Sequence, residues 1–102
     1  MTDEWMLPLL GLMRKAGKLS LGEENCRKAV RSRKAILILL ASDASANAQK
    51  RAYSLSSGCD LIRLPYDKET LSDALGFPPV SIAAVCDAGF AKIFRDRLMR
   101  TE

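Results

Sequence analysis

The stretch Ala35-Ile-Leu-Ile-Leu-Leu-Ala41 constrains this chain more than any other feature, because every residue in it is apolar. It is far shorter than the roughly 20 apolar residues a helix needs to cross a bilayer. Uninterrupted and carrying two β-branched isoleucines, it reads as a central strand covered on both faces. Such a strand requires helices above and below its sheet, and the flanking patterns supply them.

Trp5, Leu9, Leu12 and Met13 recur at helical spacing, with Thr2 or Asp3 as N-cap and Gly17 as a stop. Pro8 falls in the early turns, where its missing N–H matters least. Lys18 to Leu21 is a short extended piece. Ser20 followed by Glu23 fits a capping box for a second helix, whose buried stripe is Cys26, Ala29 and Val30. Beyond the apolar strand, Ser42 to Ser45 forms a turn into a helix over 46–56, ended by Gly58. Leu61 to Leu64 is a strand closed by Pro65. Asp67 caps a helix reaching Leu75, and Gly76 ends it. Ser81 to Cys86 is a second buried strand. Ala88 to Met99 is a last helix with Phe90, Ile93, Phe94 and Leu98 inward. Alternating strands and helices predict an α/β fold, a three-layer α/β/α sandwich. With no repeat or linker in 102 residues, residues 1–102 form a single domain.

The chain has no histidine, which excludes Ser-His-Asp and Cys-His catalysis and histidine-ligated metals. Cys26, Cys59 and Cys86 lie far apart with no CxxC, so neither a zinc knuckle nor a dithiol redox pair is available. They read as buried, reduced thiols acting as small hydrophobes. Cys26, beside Arg27 and Lys28 early in a helix, is the one placed for a lowered pKa. No enzyme, cofactor or metal is expected. Asp3 and Glu4 stand where a signal peptide would carry positive charge, so a cytoplasmic protein with no membrane partner is expected.

The formal net charge of +4 is unevenly spread. Arg14 to Arg51 holds ten basic side chains against Glu23, Glu24 and Asp43, a surplus of seven, while the remainder carries six basic and nine acidic. A face that meets phosphate leaves such an asymmetry, and so does an ordinary lysine-rich surface. The densest polar chemistry is Lys18-Leu-Ser-Leu-Gly-Glu-Glu-Asn-Cys-Arg-Lys28. Gly22 opens the helix, whose first-turn amides lack partners. Glu24, Asn25 and Lys28 share one exposed face, and Arg27, Arg31 and Lys34 extend a basic stripe beside it. Taken alone, this also fits an ordinary solvated helix.

Three segments carry a wider likeness: Leu10-Gly-Leu-Met-Arg-Lys-Ala-Gly-Lys-Leu-Ser-Leu-Gly-Glu-Glu24, Ile38-Leu-Leu-Ala-Ser-Asp-Ala-Ser45 and Val85-Cys-Asp-Ala-Gly-Phe-Ala-Lys92. In order and spacing, from about Leu10 to Lys92, the chain resembles the kink-turn RNA-binding ribosomal proteins of the L-seven-Ae and L-thirty-e superfamily, small bacterial branch. The resemblance implies a four-stranded mixed sheet between helical layers and a role in binding structured RNA without catalysis; a monomer, ribosomal or ribosome-associated, is expected. The alternative it leaves is a regulatory protein-interaction module of the same fold. Its second-helix motif, Gly-x-Asn-Glu-x-x-Lys, is matched by Gly22 and Lys28. Glu24 stands at the asparagine position and Asn25 at the glutamate position, so the central pair is exchanged. A carboxylate accepts hydrogen bonds but cannot donate them, which sets this pair apart from the usual reader of guanine–adenine pairs. The implied RNA contacts are Lys18, Gly22, Glu24, Asn25, Arg27, Lys28 and Arg31, with Phe77, Pro78 and Val80 from the loop that supports an extruded nucleotide. Phe77 equally suits a role closing the helix end over the core.

Overall fold

Leu37, Ile38, Leu39 and Leu40 are each no more than 1% exposed, and their alternation divides the interior into two cores. The structure is a computed structural model and describes residues 5–56 and 58–100. In chain order its elements are α1 (Met6–Lys15), β1 (Leu19–Leu21), α2 (Glu23–Arg31), β2 (Leu37–Leu40), α3 (Ala46–Leu55), β3 (Asp60–Arg63), α4 (Lys68–Leu75), β4 (Ile82–Val85) and α5 (Ala88–Arg100). The strands form one mixed sheet in the order β1-β4-β2-β3. β2 runs parallel to β3, while β4 runs antiparallel to both β1 and β2.

Leu37 and Leu39 point into a core with Met6, Leu10 and Met13 of α1, Leu71 and Leu75 of α4, and Ala91 and Phe94 of α5. Ile38 and Leu40 point the other way, onto Cys26 of α2 and Ala52 of α3. Helices therefore cover both faces, in the expected α/β/α arrangement, because a strand apolar on both sides leaves neither face to water.

Several local expectations hold. Ser45 caps α3 through the Ala48 amide (3.1 Å), and Asp67 caps α4 through the Thr70 amide (2.8 Å). Gly76 ends α4 in the left-handed conformation, at φ 65°. Others are corrected. Ser20 does not cap α2; it sits in β1 opposite Ala84, and Gly22 is the N-cap without a side-chain bond. Ala35 and Ile36 precede β2 rather than belonging to it. Leu12 is 58% exposed, because α1 turns its Met6-Leu10-Met13 row inward. Ile93 is 42% exposed, and Ala91 joins Phe94 in the core instead. The expected caps Thr2 and Asp3 lie outside the described residues. Among the described residues no helix is long and apolar enough to cross a membrane.

Candidate nucleic-acid interface

The junction of β1 and α2 depends on Gly22. Its backbone adopts φ 90°, ψ 157°, a region that side chains rarely tolerate, so glycine is required there. The Gly22 amide donates to the Ile82 carbonyl (3.0 Å), while its carbonyl accepts from the Cys26 amide (3.0 Å). One residue thus closes the sheet edge and opens the helix. A Cβ on Gly22 would stand 3.7 Å from Val80 Cγ1, so the start of α2 and the 76–81 loop are direct neighbours.

From this junction a groove of about 430 Å³ crosses β1 between α2 and the C-terminal end of α1. Asn25, Lys28 and Lys34 line one side, Arg14 and Phe77 the other, and Ser20 and Cys86 are also at its wall. Among the described residues no carboxylate is in its lining. Asn25 Nδ2 donates to the Leu21 carbonyl (2.9 Å), which uses one of its two N–H groups, anchors the side chain and leaves the other N–H and the side-chain oxygen for a ligand. Phe77 is half-buried and packs against the sheet core. Arg14 sits 5.1 Å over its ring and donates to the Leu75 carbonyl, bracing the end of α4.

Of the expected contacts, the structure brings Gly22, Asn25, Lys28, Phe77 and Val80 together. Lys18 is exposed at the approach to β1, its carbonyl accepting from the Cys86 amide (2.8 Å). Pro78 is exposed on the loop, and Arg31 is exposed on the last turn of α2. Glu24 and Arg27 do not line this groove. They pair with each other (3.0 Å) while Arg27 also binds Glu23 (2.8 Å), and Glu23 in turn binds Arg51 of α3 (2.8 Å). The Arg51 guanidinium, helped by Arg27, holds the Glu23 carboxyl below the usual carboxylate range. Arg27 instead faces a second groove of about 350 Å³ toward α3, with Lys50 and Arg51.

The thiol at Cys26 also differs from expectation. It is fully buried, and burial, with smaller contributions from Cys86 and Glu23, pushes it up to about 12 rather than down. Among the groove residues that a reading by sequence does not assign to the site are Arg14 and Cys86. Arg14 enters through the packing of α1 on α4, and Cys86 through the pairing of β4 with β1. Only the charge at Arg14 offered any signal.

Residues 6–95 match the Ribosomal protein L7Ae/L30e/S12e/Gadd45 family. The chain is 37% identical over 92 residues to the RNA-binding protein YlxQ of Bacillus subtilis (strain 168), covering 86% of this chain and 88% of that protein. It is 33% identical over 84 residues to the RNA-binding protein YlxQ of Enterococcus faecium, covering 82% of each. A solved structure described as a protein with unknown function from Bacillus halodurans C superposes with a TM-score of 0.79 at 29% identity, over 88% of this chain and 92% of that one. With the whole sheet, the first four helices and most of α5 inside the matched span, the chain belongs to the Ribosomal protein L7Ae/L30e/S12e/Gadd45 family.

Proposed function

We propose that this chain is a single, monomeric, non-catalytic RNA-binding domain of the cytoplasm, ribosomal or ribosome-associated, that takes a kink-turn-like RNA at the β1–α2 junction. The observation that carries this reading is the groove itself. Cations at Arg14, Lys28 and Lys34 surround a fixed acceptor at Asn25, with no carboxylate among them. Phosphate is drawn by the cations, and base edges meet the acceptor. The names of the Bacillus and Enterococcus relatives support RNA as the partner.

The exchanged pair takes on a specific meaning here. Anchored through one N–H on Leu21, Asn25 still offers its side-chain oxygen as an acceptor, as the glutamate of the family motif does, so position 25 can accept from a guanine imino or amino group. Position 24 does not, because Glu24 has no donor and is tied to Arg27. The test is binding of a kink-turn RNA at two salt concentrations by the wild type, Glu24→Asn and Glu24→Gln. The wild type binds with steep salt dependence. Glu24→Asn binds tighter than Glu24→Gln by roughly 1–3 kcal/mol, since both remove the same charge and only asparagine has the reach of the usual reader. Absence of any affinity at low salt defeats RNA binding altogether. Tight wild-type binding that Glu24→Asn weakens defeats the assignment of position 24.

A further inference from the structure

A larger concavity, of about 680 Å³, lies between α1 and α4 and meets that groove only at Arg14. Its walls are apolar for most of their length. Leu7, Pro8 and Leu12 come from α1, and Ala74 and Leu75 from α4. Gly11 stands in the middle of α1 with nothing within 4 Å of where a Cβ would be, and its φ is not in the left-handed region. Neither the backbone nor the core therefore requires a glycine there, although glycine is a poor helix former. Its effect is to leave a hole in the exposed i, i+4 rows of α1, bordered by Leu7, Leu12 and Lys15. Leu12, at 58% exposure, has no place in either core.

We propose that this groove docks an amphipathic helix of a partner protein, with acidic residues at one end of that helix. The polarity follows from where the charges lie. Arg14 and Lys15 stand together at the C-terminal end of α1, and among the described residues no acidic side chain lines the groove. Apolar residues at i, i+4 and i+7 of the partner would cover Leu7, Pro8 and Leu12, one of them entering the hole at Gly11, while its carboxylates meet Arg14 and Lys15. At ~1.5 Å per residue, the ten residues of α1 face two to three turns of such a helix. RNA suits this surface poorly. The lining offers no aromatic ring on which a base stacks and no side-chain amide or hydroxyl to read its edge.

The test places the photocrosslinker p-benzoylphenylalanine at the exposed Pro8 of the full-length protein, in the cells from which it comes, and maps the crosslinked segment by mass spectrometry. The expected product is a protein segment with apolar residues at helical spacing and Asp or Glu clustered at one end. Gly11→Gln fills the hole in open space, so it lowers the crosslink yield at least tenfold while the melting temperature stays the same or rises. Lys15→Glu lowers the yield comparably, and Lys28→Ala leaves it unchanged. Crosslinking to RNA, to a second copy of this chain, to a segment without clustered acids or to nothing overturns the proposal. So does full yield from Gly11→Gln.

Discussion

Lys28 faces a groove with no carboxylate in its walls, whereas Arg27, one residue earlier, is held by Glu23 and Glu24. On the proposed reading, adjacent cations on one helix are thereby unequal toward RNA. Lys28→Ala is expected to lower the salt slope of RNA binding by nearly one unit, and Arg27→Ala by less than about half a unit, in filter-binding titrations across salt. Neither should move the unfolding midpoint by much, because exposed charges contribute little to folding. This inequality is not legible in sequence, where Arg27 and Lys28 differ only by one position; it arises because Arg51, from another helix, fixes Glu23 toward Arg27. Cys26 carries a second residue-scale expectation. Below pH 9 its thiol is protonated in folded and unfolded chains alike. Between 9.0 and about 12 only the unfolded chain ionises, so folded stability falls as pH rises through that window. The loss is at most about 1.4 kcal/mol per pH unit. Urea midpoints from pH 8 to 10.5 should fall more steeply for the wild type than for Cys26→Ala; parallel profiles would mean that the buried thiol is not the cause.

The end of α4 joins stability to the candidate interface. Gly76 turns left-handed, the Phe77 amide bonds to the Ser72 carbonyl (3.3 Å), and the ring lies between the core and the Arg14 guanidinium. Phe77→Ala should therefore destabilise the protein by ~1–3 kcal/mol, as expected for uncovering a half-buried ring. An unchanged denaturant midpoint with weaker RNA binding would show that the ring serves the ligand alone. Local signals at this element are read correctly from sequence, since Asp67, Gly76 and the apolar spacing between them act within a few residues of one another. The start of α2 is different. Ser20 and Glu23 have the spacing of a capping box, yet pairing with β4 claims Ser20 for the sheet, and β4 lies some sixty residues away in the chain. Helical periodicity likewise identifies α1 and α5 without selecting the row that turns inward, which is how Leu12 and Ile93 come to be exposed.

At the scale of the whole molecule, β2 is the shared wall of two cores. Ile38→Ala opens a cavity on the α2–α3 side and Leu39→Ala one on the α1–α4–α5 side, each expected to cost about 2–5 kcal/mol. Because the sheet couples the layers, both substitutions should shift a single cooperative transition. Trp5 fluorescence, which reports the layer of α1 and α5, should then coincide with far-UV circular dichroism in both variants; separate midpoints would indicate that the layers unfold independently. The strand order β1-β4-β2-β3 reaches beyond the equilibrium structure, to the time at which the chain is made. The strand synthesised last, β4, sits between the first two. A nascent chain, growing at about 5–20 residues per second, presents β1, β2 and β3 before anything can join β1 to the others. Until Ile82, Ala84 and Val85 emerge, both cores lack a wall, and the apolar faces of Leu37 to Leu40 have no complete cover. Each ribosome making this protein thus carries, for seconds, an apolar segment whose cover waits for β4 and, on the α1–α4 side, for α5.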